Sequence, residues 1–150
     1  MKLVPSKTDT DALVESLRVC NEALNYVSQR AFAERVWKYH RLQKLVYTDV
    51  KARSGLGAQM ALHVIKKVAD SYNSGKEAHR HGAALREFRW SSAQTFDARN
   101  LTISPAGQTI SIGTATAGRI RVPYVCSLDQ QTALAASTIK ECDLVYRDGS

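Results

Sequence analysis

The residues of this chain that could do chemistry are four histidines, three cysteines and a scatter of acids, and their spacing fits no reaction centre. His40, His63, His79 and His81 have no cysteine or carboxylate beside them at metal-ligand spacing, and His79-x-His81 reads as a solvated pair. Cys20, Cys126 and Cys142 are far apart and contain no CxxC pair. That spacing argues against a zinc site and against a disulfide framework, so they read as small reduced hydrophobes of a cytosolic protein. A magnesium-dependent nuclease needs two or three clustered carboxylates. Asp97, Asp129, Asp143 and Asp148 are too dispersed to supply them. No GxSxG, P-loop or GxGxxG is present. No catalytic residue, metal or cofactor is therefore expected.

What remains is the chemistry of recognition. The run Gly55 to Tyr72, GLGAQMALHVIKKVADSY, places Ala61, Val64, Ile65, Val68 and Tyr72 on one helical face and Gln59, His63, Lys66, Lys67 and Asp70 on the other. Gln59 sits near the start of this helix, where unpaired N–H groups favour an anion. A glutamine can also pair bidentately with adenine. His63, Lys66 and Lys67 extend that face, which reads equally as a solvated surface. Arg86, Arg89 and Trp90 combine guanidinium groups with an aromatic ring, a pattern that suits phosphate and base stacking. A buried Trp90 anchoring a junction is the alternative. Arg119 and Arg121 alternate on one strand face, facing either a phosphate backbone or solvent. Tyr47, four residues before Lys51, reads as either core or contact.

Charge supports this direction. The chain carries a formal +7, and residues 1–90 hold 16 basic against nine acidic residues, while residues 91–150 hold five of each. Residues 35–90 alone hold 12 basic and four acidic. A regional positive field of that kind suits a polyanion. No apolar run is long enough to span a membrane, and Lys2 is not followed by the apolar stretch of a secretion signal.

The elements that must position these residues change character along the chain. Residues 1–5 predict a short strand stopped by Pro5, one that pairs with later strands because a lone strand is unstable. Thr8 or Asp9 is the expected cap of a long helix with the stripe Leu13, Leu17, Cys20, Leu24, Val27 and Ala31, running to about Trp37. Asn25 and Ser28 weaken its middle. A second helix is expected over Tyr39–Arg53, burying Leu42, Leu45, Val46 and Val50. The Gly55/Gly57 break and the third helix follow. Asn73-Ser74-Gly75 is a turn signal, and residues 76–92 read as an irregular basic linker. Beyond Ala93 come a hairpin (100–104 and 109–112), a turn at Ala117-Gly118, a strand at 119–123 and a last strand at 143–147.

In this order the motifs resemble the N-terminal part of TnpB, a transposon-encoded RNA-guided DNA endonuclease family related to type V CRISPR effectors. The matching runs are Cys20-Asn-Glu-Ala-Leu-Asn-Tyr-Val-Ser28, His40 to Val50, Gly57 to Ala61 with Val68 to Tyr72, Phe96 to Leu101, Gly118 to Pro123, and Asp143 to Gly149. The resemblance implies an α+β fold. A helical recognition lobe would be inserted into a small antiparallel oligonucleotide-binding-type β-barrel, the wedge domain. The expected division is 1–8 for the first wedge strand, 9–75 for the recognition lobe, 76–92 for the basic linker and 93–150 for the wedge strands. Guide RNA and target DNA are the implied partners, together with the nuclease portion or another protein chain, in a bacterial or archaeal cytoplasm. The family's RuvC-like nuclease and zinc ribbon have no counterpart in these residues, so binding without cutting is expected.

Added to the spacing of Gln59 and His63, the resemblance implies that Tyr47, Gln59, His63, Asp97 and Arg99 read a short DNA motif. Lys51, Arg53, Lys66, Lys67, Lys76, Arg80, Arg86, Arg89, Trp90, Arg119 and Arg121 are expected along the nucleic-acid backbone. The alternative reading is a free-standing helix-turn-helix repressor. A third is a scaffold domain whose basic face meets an acidic protein.

Overall fold

A computed structural model of the chain describes residues 1–74 and 84–147. The fold is α+β, with the order β1 (Lys2–Leu3), α1 (Lys7–Glu34), α2 (Tyr39–Ser54), α3 (Ala58–Asn73), β2 (Gln94–Asp97), β3 (Leu101–Ser104), β4 (Thr109–Gly113), β5 (Arg119–Val125), α4 (Leu128–Ala136) and β6 (Glu141–Leu144). The chain divides into two units. One comprises Met1–Ser16 with Ala93–Ser150, the other Leu17–Ser92. In sequence, the helical unit lies between β1 and the later strands. Lys76, His79, Arg80, His81 and the rest of 76–83 of the expected basic linker lie outside the described residues, as does Gly75 of the expected turn.

Helix α1 starts two to three residues earlier than its sequence suggests. Ser6, not Thr8 or Asp9, caps it: the Asp9 amide donates to Ser6 Oγ at 3.1 Å, and Ser6 Oγ donates back to the Asp9 carboxylate at 2.8 Å. The helix also stops at Glu34, short of Trp37. Arg35 takes a left-handed backbone (φ 53°). Its amide donates to Phe32 O, and the Val36 amide donates to Ala31 O. That paired closure ends a helix whatever follows, and a glycine usually occupies the position Arg35 fills.

In the helical unit, Leu17, Cys20, Leu24, Val27 and Ala31 of α1 are buried with Leu42, Val46 and Val50 of α2 and Val64, Ile65, Val68 and Tyr72 of α3. Leu45, expected in this core, is only half-buried. Burial of each large aliphatic side chain contributes roughly 1.5–3 kcal/mol. Burial also pushes the Cys20 thiol up to about 12, as an inert core residue requires. Gly55 ends α2 with a left-handed φ of 67°, and Leu56, fully buried, plugs the turn into α3. Tyr72 stacks on Trp37, ring centroids 4.4 Å apart, and its hydroxyl meets Ser28 Oγ at 2.8 Å.

Asn25 and Ser28, unfavourable for a helix interior, have a tertiary purpose. They line up with Asn21 on one side of α1 and clip down the strap 84–92. Asn25 binds both backbone groups of Phe88, donating to its carbonyl (3.0 Å) and accepting from its amide (2.8 Å). Ser28 Oγ donates to Arg86 O, and Asn21 Nδ2 donates to Trp90 O and Ser92 O. The described part of the linker is therefore ordered by side chains on α1, although it forms neither helix nor strand.

In the other unit, β1, β5, β4 and β3 form one antiparallel sheet in that order, and β2 pairs separately with β6. The described strands do not close into the expected barrel. β1 contributes only two residues, and a sheet of four strands is too narrow to curl edge to edge. β2 does not extend the sheet through β3 but pairs with β6, and the turn between β2 and β3 is closed by its own side chains. Asn100 Oδ1 accepts from the Asp97 amide at 2.8 Å, and Asp97 Oδ1 accepts from the Arg99 amide at 2.8 Å. β1 pairs with β5 as its sequence requires (Lys2↔Val125, Leu3↔Tyr124). The last strand is Glu141–Leu144 rather than 143–147, matching the four residues of its partner β2, Gln94–Asp97. Helix α4 was not anticipated. It buries no side chain, so it leaves no apolar stripe in the sequence. Its one signature is the capping box of Ser127 and Gln130.

Candidate nucleic-acid interface

In the helical unit one group of cations lies on α2 and the approach to it. Residues 35–48 contain Arg35, Lys38, Arg41 and Lys44 and no acid. All four are exposed, and none of these side chains has a hydrogen-bond or ion-pair partner among the described residues. With Leu42, Val46 and Val50 turned inward at intervals of four, the opposite side of α2 presents Arg41, Lys44 and Thr48. Tyr47 and Lys51 flank that side, each half-exposed. The N-terminus of α2 has no side-chain cap and no acid in its first turn. Its leading amides and the positive end of its dipole therefore face outward beside Lys38 and Arg41. Asp49, the one acid of α2, faces α1 and is engaged by Arg30 at 3.3 Å. This arrangement can hold a chain of phosphates, with mobile ammonium groups and guanidinium forks along a helix whose own dipole assists.

Sequence reasoning missed Arg35, Lys38, Arg41 and Lys44 as individual residues. The signal was available in the acid-free run 35–48, which a charge count over a longer window blurs.

Helix α3 is spent differently. His63 is buried and so does not lie on an outward face. The reason is geometric: it is one residue from Val64, Leu62 occupies the more exposed position, and the apolar face is wide enough to take His63 in. Gln59 is half-exposed and its amide nitrogen meets His63 Nε2 at 3.4 Å. Lys66 pairs with Asp70 at 2.6 Å, and Lys67 lies over the Phe88 ring at 5.7 Å. The N-terminus of α3, capped by Gly57 without a side-chain bond, is acid-free like that of α2. Of the other expected contacts, Lys51 Nζ donates to Leu56 O at 2.8 Å and braces the α2–α3 turn. Arg53 lies over the Tyr26 ring at 4.4 Å. Arg86 is half-buried, its amide held by Tyr72, whereas Arg89 is exposed with no side-chain partner among the described residues. Trp90 is 45% exposed, so it is no buried anchor, and Arg18 lies 5.8 Å from its ring.

The sheet unit supplies a second cationic surface. On β5, Ile120 is half-buried and Val122 buried, while Arg119 and Arg121 face out. Arg119 reaches across the sheet: Nε donates to Ser111 Oγ on β4 (2.7 Å), Nη2 to Thr102 Oγ1 on β3 (2.9 Å) and Nη1 to Arg99 O (3.3 Å). Arg121, paired in register with Ser111, has no polar partner among the described residues. The β3–β4–β5 meander thus gathers Arg99, Arg119 and Arg121 from distant points of the chain. Asp97 is different from its sequence reading. It is buried, and its carboxylate accepts from the Arg99 amide and guanidinium (3.1 Å for the latter), so it shapes the turn that presents Arg99.

Among the described residues no group of three or more His, Cys, Asp or Glu could hold a metal ion, and no helix is long and apolar enough to cross a membrane. Burial raises the pKa of the Cys142 thiol, with Asp143 adding to the effect, and burial likewise raises that of Tyr124. No protein-family model matches the chain, and no curated protein matches it significantly.

Proposed function

We propose that this chain is a nucleic-acid-binding module that grips phosphate backbone through α2 and its approach, with the arginine cluster of the sheet unit as a second contact. The observation that carries the reading is the acid-free run 35–48, with four exposed cations that have no partner among the described residues, beside an uncapped helix N-terminus. The narrower proposal is the wedge and recognition part of a TnpB-type RNA-guided endonuclease. In it the protein holds guide RNA and target DNA and reads a short motif, while RNA pairing reads the rest of the sequence. The ordered motifs support it, as does a helical unit inserted in sequence between β1 and β5, its sheet partner. No residue is assigned a catalytic role. A helix-turn-helix repressor would present α3 to the groove, yet Lys66 and Lys67 are engaged within the unit and His63 is buried. The favoured partner is therefore backbone held by α2.

The test is binding of a short structured RNA and a DNA duplex, followed by fluorescence anisotropy across a salt series. Four phosphate contacts predict a slope of log K against log salt of about −3 to −4. Lys44→Ala should make the slope shallower by about one. Salt-independent binding, or no binding at low salt, would overturn the proposal. Gln59→Ala tests the motif-reading part, with an expected loss of about 1–3 kcal/mol on the preferred sequence only.

A further inference from the structure

Arg53 stands apart from the other cations of α2. Its guanidinium carbon lies 4.4 Å from the centroid of the Tyr26 ring on α1. Asp49, four residues earlier on the same helix, is its natural ion-pair partner, but that carboxylate is already taken. Tyr26 donates its hydroxyl to Asp49 Oδ2 at 3.0 Å, and Arg30 Nη1 donates to both the Tyr26 hydroxyl (3.2 Å) and Asp49 (3.3 Å). Glu34 adds a weaker hold on Arg30 at 3.9 Å. The ring is therefore oriented through its hydroxyl, and the exposed guanidinium rests on it with no hydrogen-bond partner among the described residues.

We propose that Tyr26 and Arg53 form a stacking platform for an unpaired nucleobase of a single-stranded or looped RNA segment. A guanidinium over a ring presents a second flat, cationic face, and unstacked RNA bases are bound on such planes. A phosphate would be held by the edge of the fork and would gain nothing from the ring beneath. Arg41 and Lys44, without such a ring, are suited to the backbone on either side. The inference rests on the nucleic-acid reading above and assigns one of its residues to a base instead of a phosphate.

Two probes of about 12 nucleotides separate the possibilities: an oligoadenylate carrying one 2-aminopurine, and a base-free ribose-phosphate chain of equal length. Arg53→Lys keeps the charge and loses the plane. It should weaken oligoadenylate binding about 5- to 100-fold, leave the base-free chain within about twofold, and abolish the stacking-induced quenching of 2-aminopurine. Tyr26→Leu should give the same pattern, and if it fails to fold Arg53→Lys decides alone. An equal loss on both probes makes Arg53 a phosphate contact and overturns the platform, as does no loss on either. If the unsubstituted protein binds neither probe at low salt, the platform is overturned, and the salt series on structured RNA and duplex decides the nucleic-acid reading separately.

Discussion

Replacing Asn25 with alanine should loosen the strap 84–92 without unfolding the helices that carry it. Asn25 supplies two hydrogen bonds to Phe88, at 3.0 and 2.8 Å. Each is worth about 0.5–1.5 kcal/mol net, so the local loss is about 1–3 kcal/mol. Alanine is the better helix former by up to about 0.7 kcal/mol, which offsets part of that loss in the global stability. The two effects act on different quantities. Global stability, measured by urea denaturation, should fall by no more than about 1–2 kcal/mol. The opening of the strap should gain the full local term, and the Phe88 amide should exchange with solvent about 5- to 150-fold faster in native-state hydrogen exchange. Amides in the middle of α1 should change far less. Lys67 rests over Phe88, so a released strap also removes that ring contact. Unchanged exchange at Phe88, with the α1 amides accelerated instead, would refute the clip and return Asn25 to the role of a poor helix residue.

Two further outcomes follow from particular residues. Arg35→Gly should stabilise the helical unit by about 1 kcal/mol, since glycine adopts the left-handed backbone without strain, and should weaken nucleic-acid binding. A stability gain with unchanged affinity would remove Arg35 from the interface. The Cys20 thiol, at about 12, keeps its proton in the folded chain at pH values where the unfolded thiol has lost it. The unfolded state then binds fewer protons, so stability should fall as pH rises from about 9 towards 12. Cys20→Ala should flatten that part of the pH profile, and alkylation at pH 8 should reach half-exposed Cys126 long before Cys20.

How much could be read in advance depended on whether a signal was local. The stripe Leu17-Cys20-Leu24-Val27-Ala31 and the apolar face of α3 follow the helical period, because a helix against a core must repeat every three or four residues. The Gly55 stop and the 101–113 hairpin rest on turn chemistry that acts within four residues. α4 escaped because it buries nothing, and the end of β6 escaped because only its partner β2 sets it. At the candidate site, Arg119 and Arg121 could be placed on one strand face by alternation. That Arg119 spans three strands to meet Arg99 could not, since the register of β3, β4 and β5 decides it.

By itself, then, the sequence determined the three long helices, most of their buried faces and the regional positive charge, all of which are properties of neighbours along the chain. Only the tertiary structure decided which cations already meet a partner within the fold. Lys51, Arg53, Lys66, Lys67 and Arg119 look alike in sequence to Arg41, Lys44 and Arg121, yet the first five meet a carbonyl, a ring, a carboxylate, a second ring and two hydroxyls. A positive charge is one quantity on the page and another in the fold, because its partners arrive from elements tens of residues away.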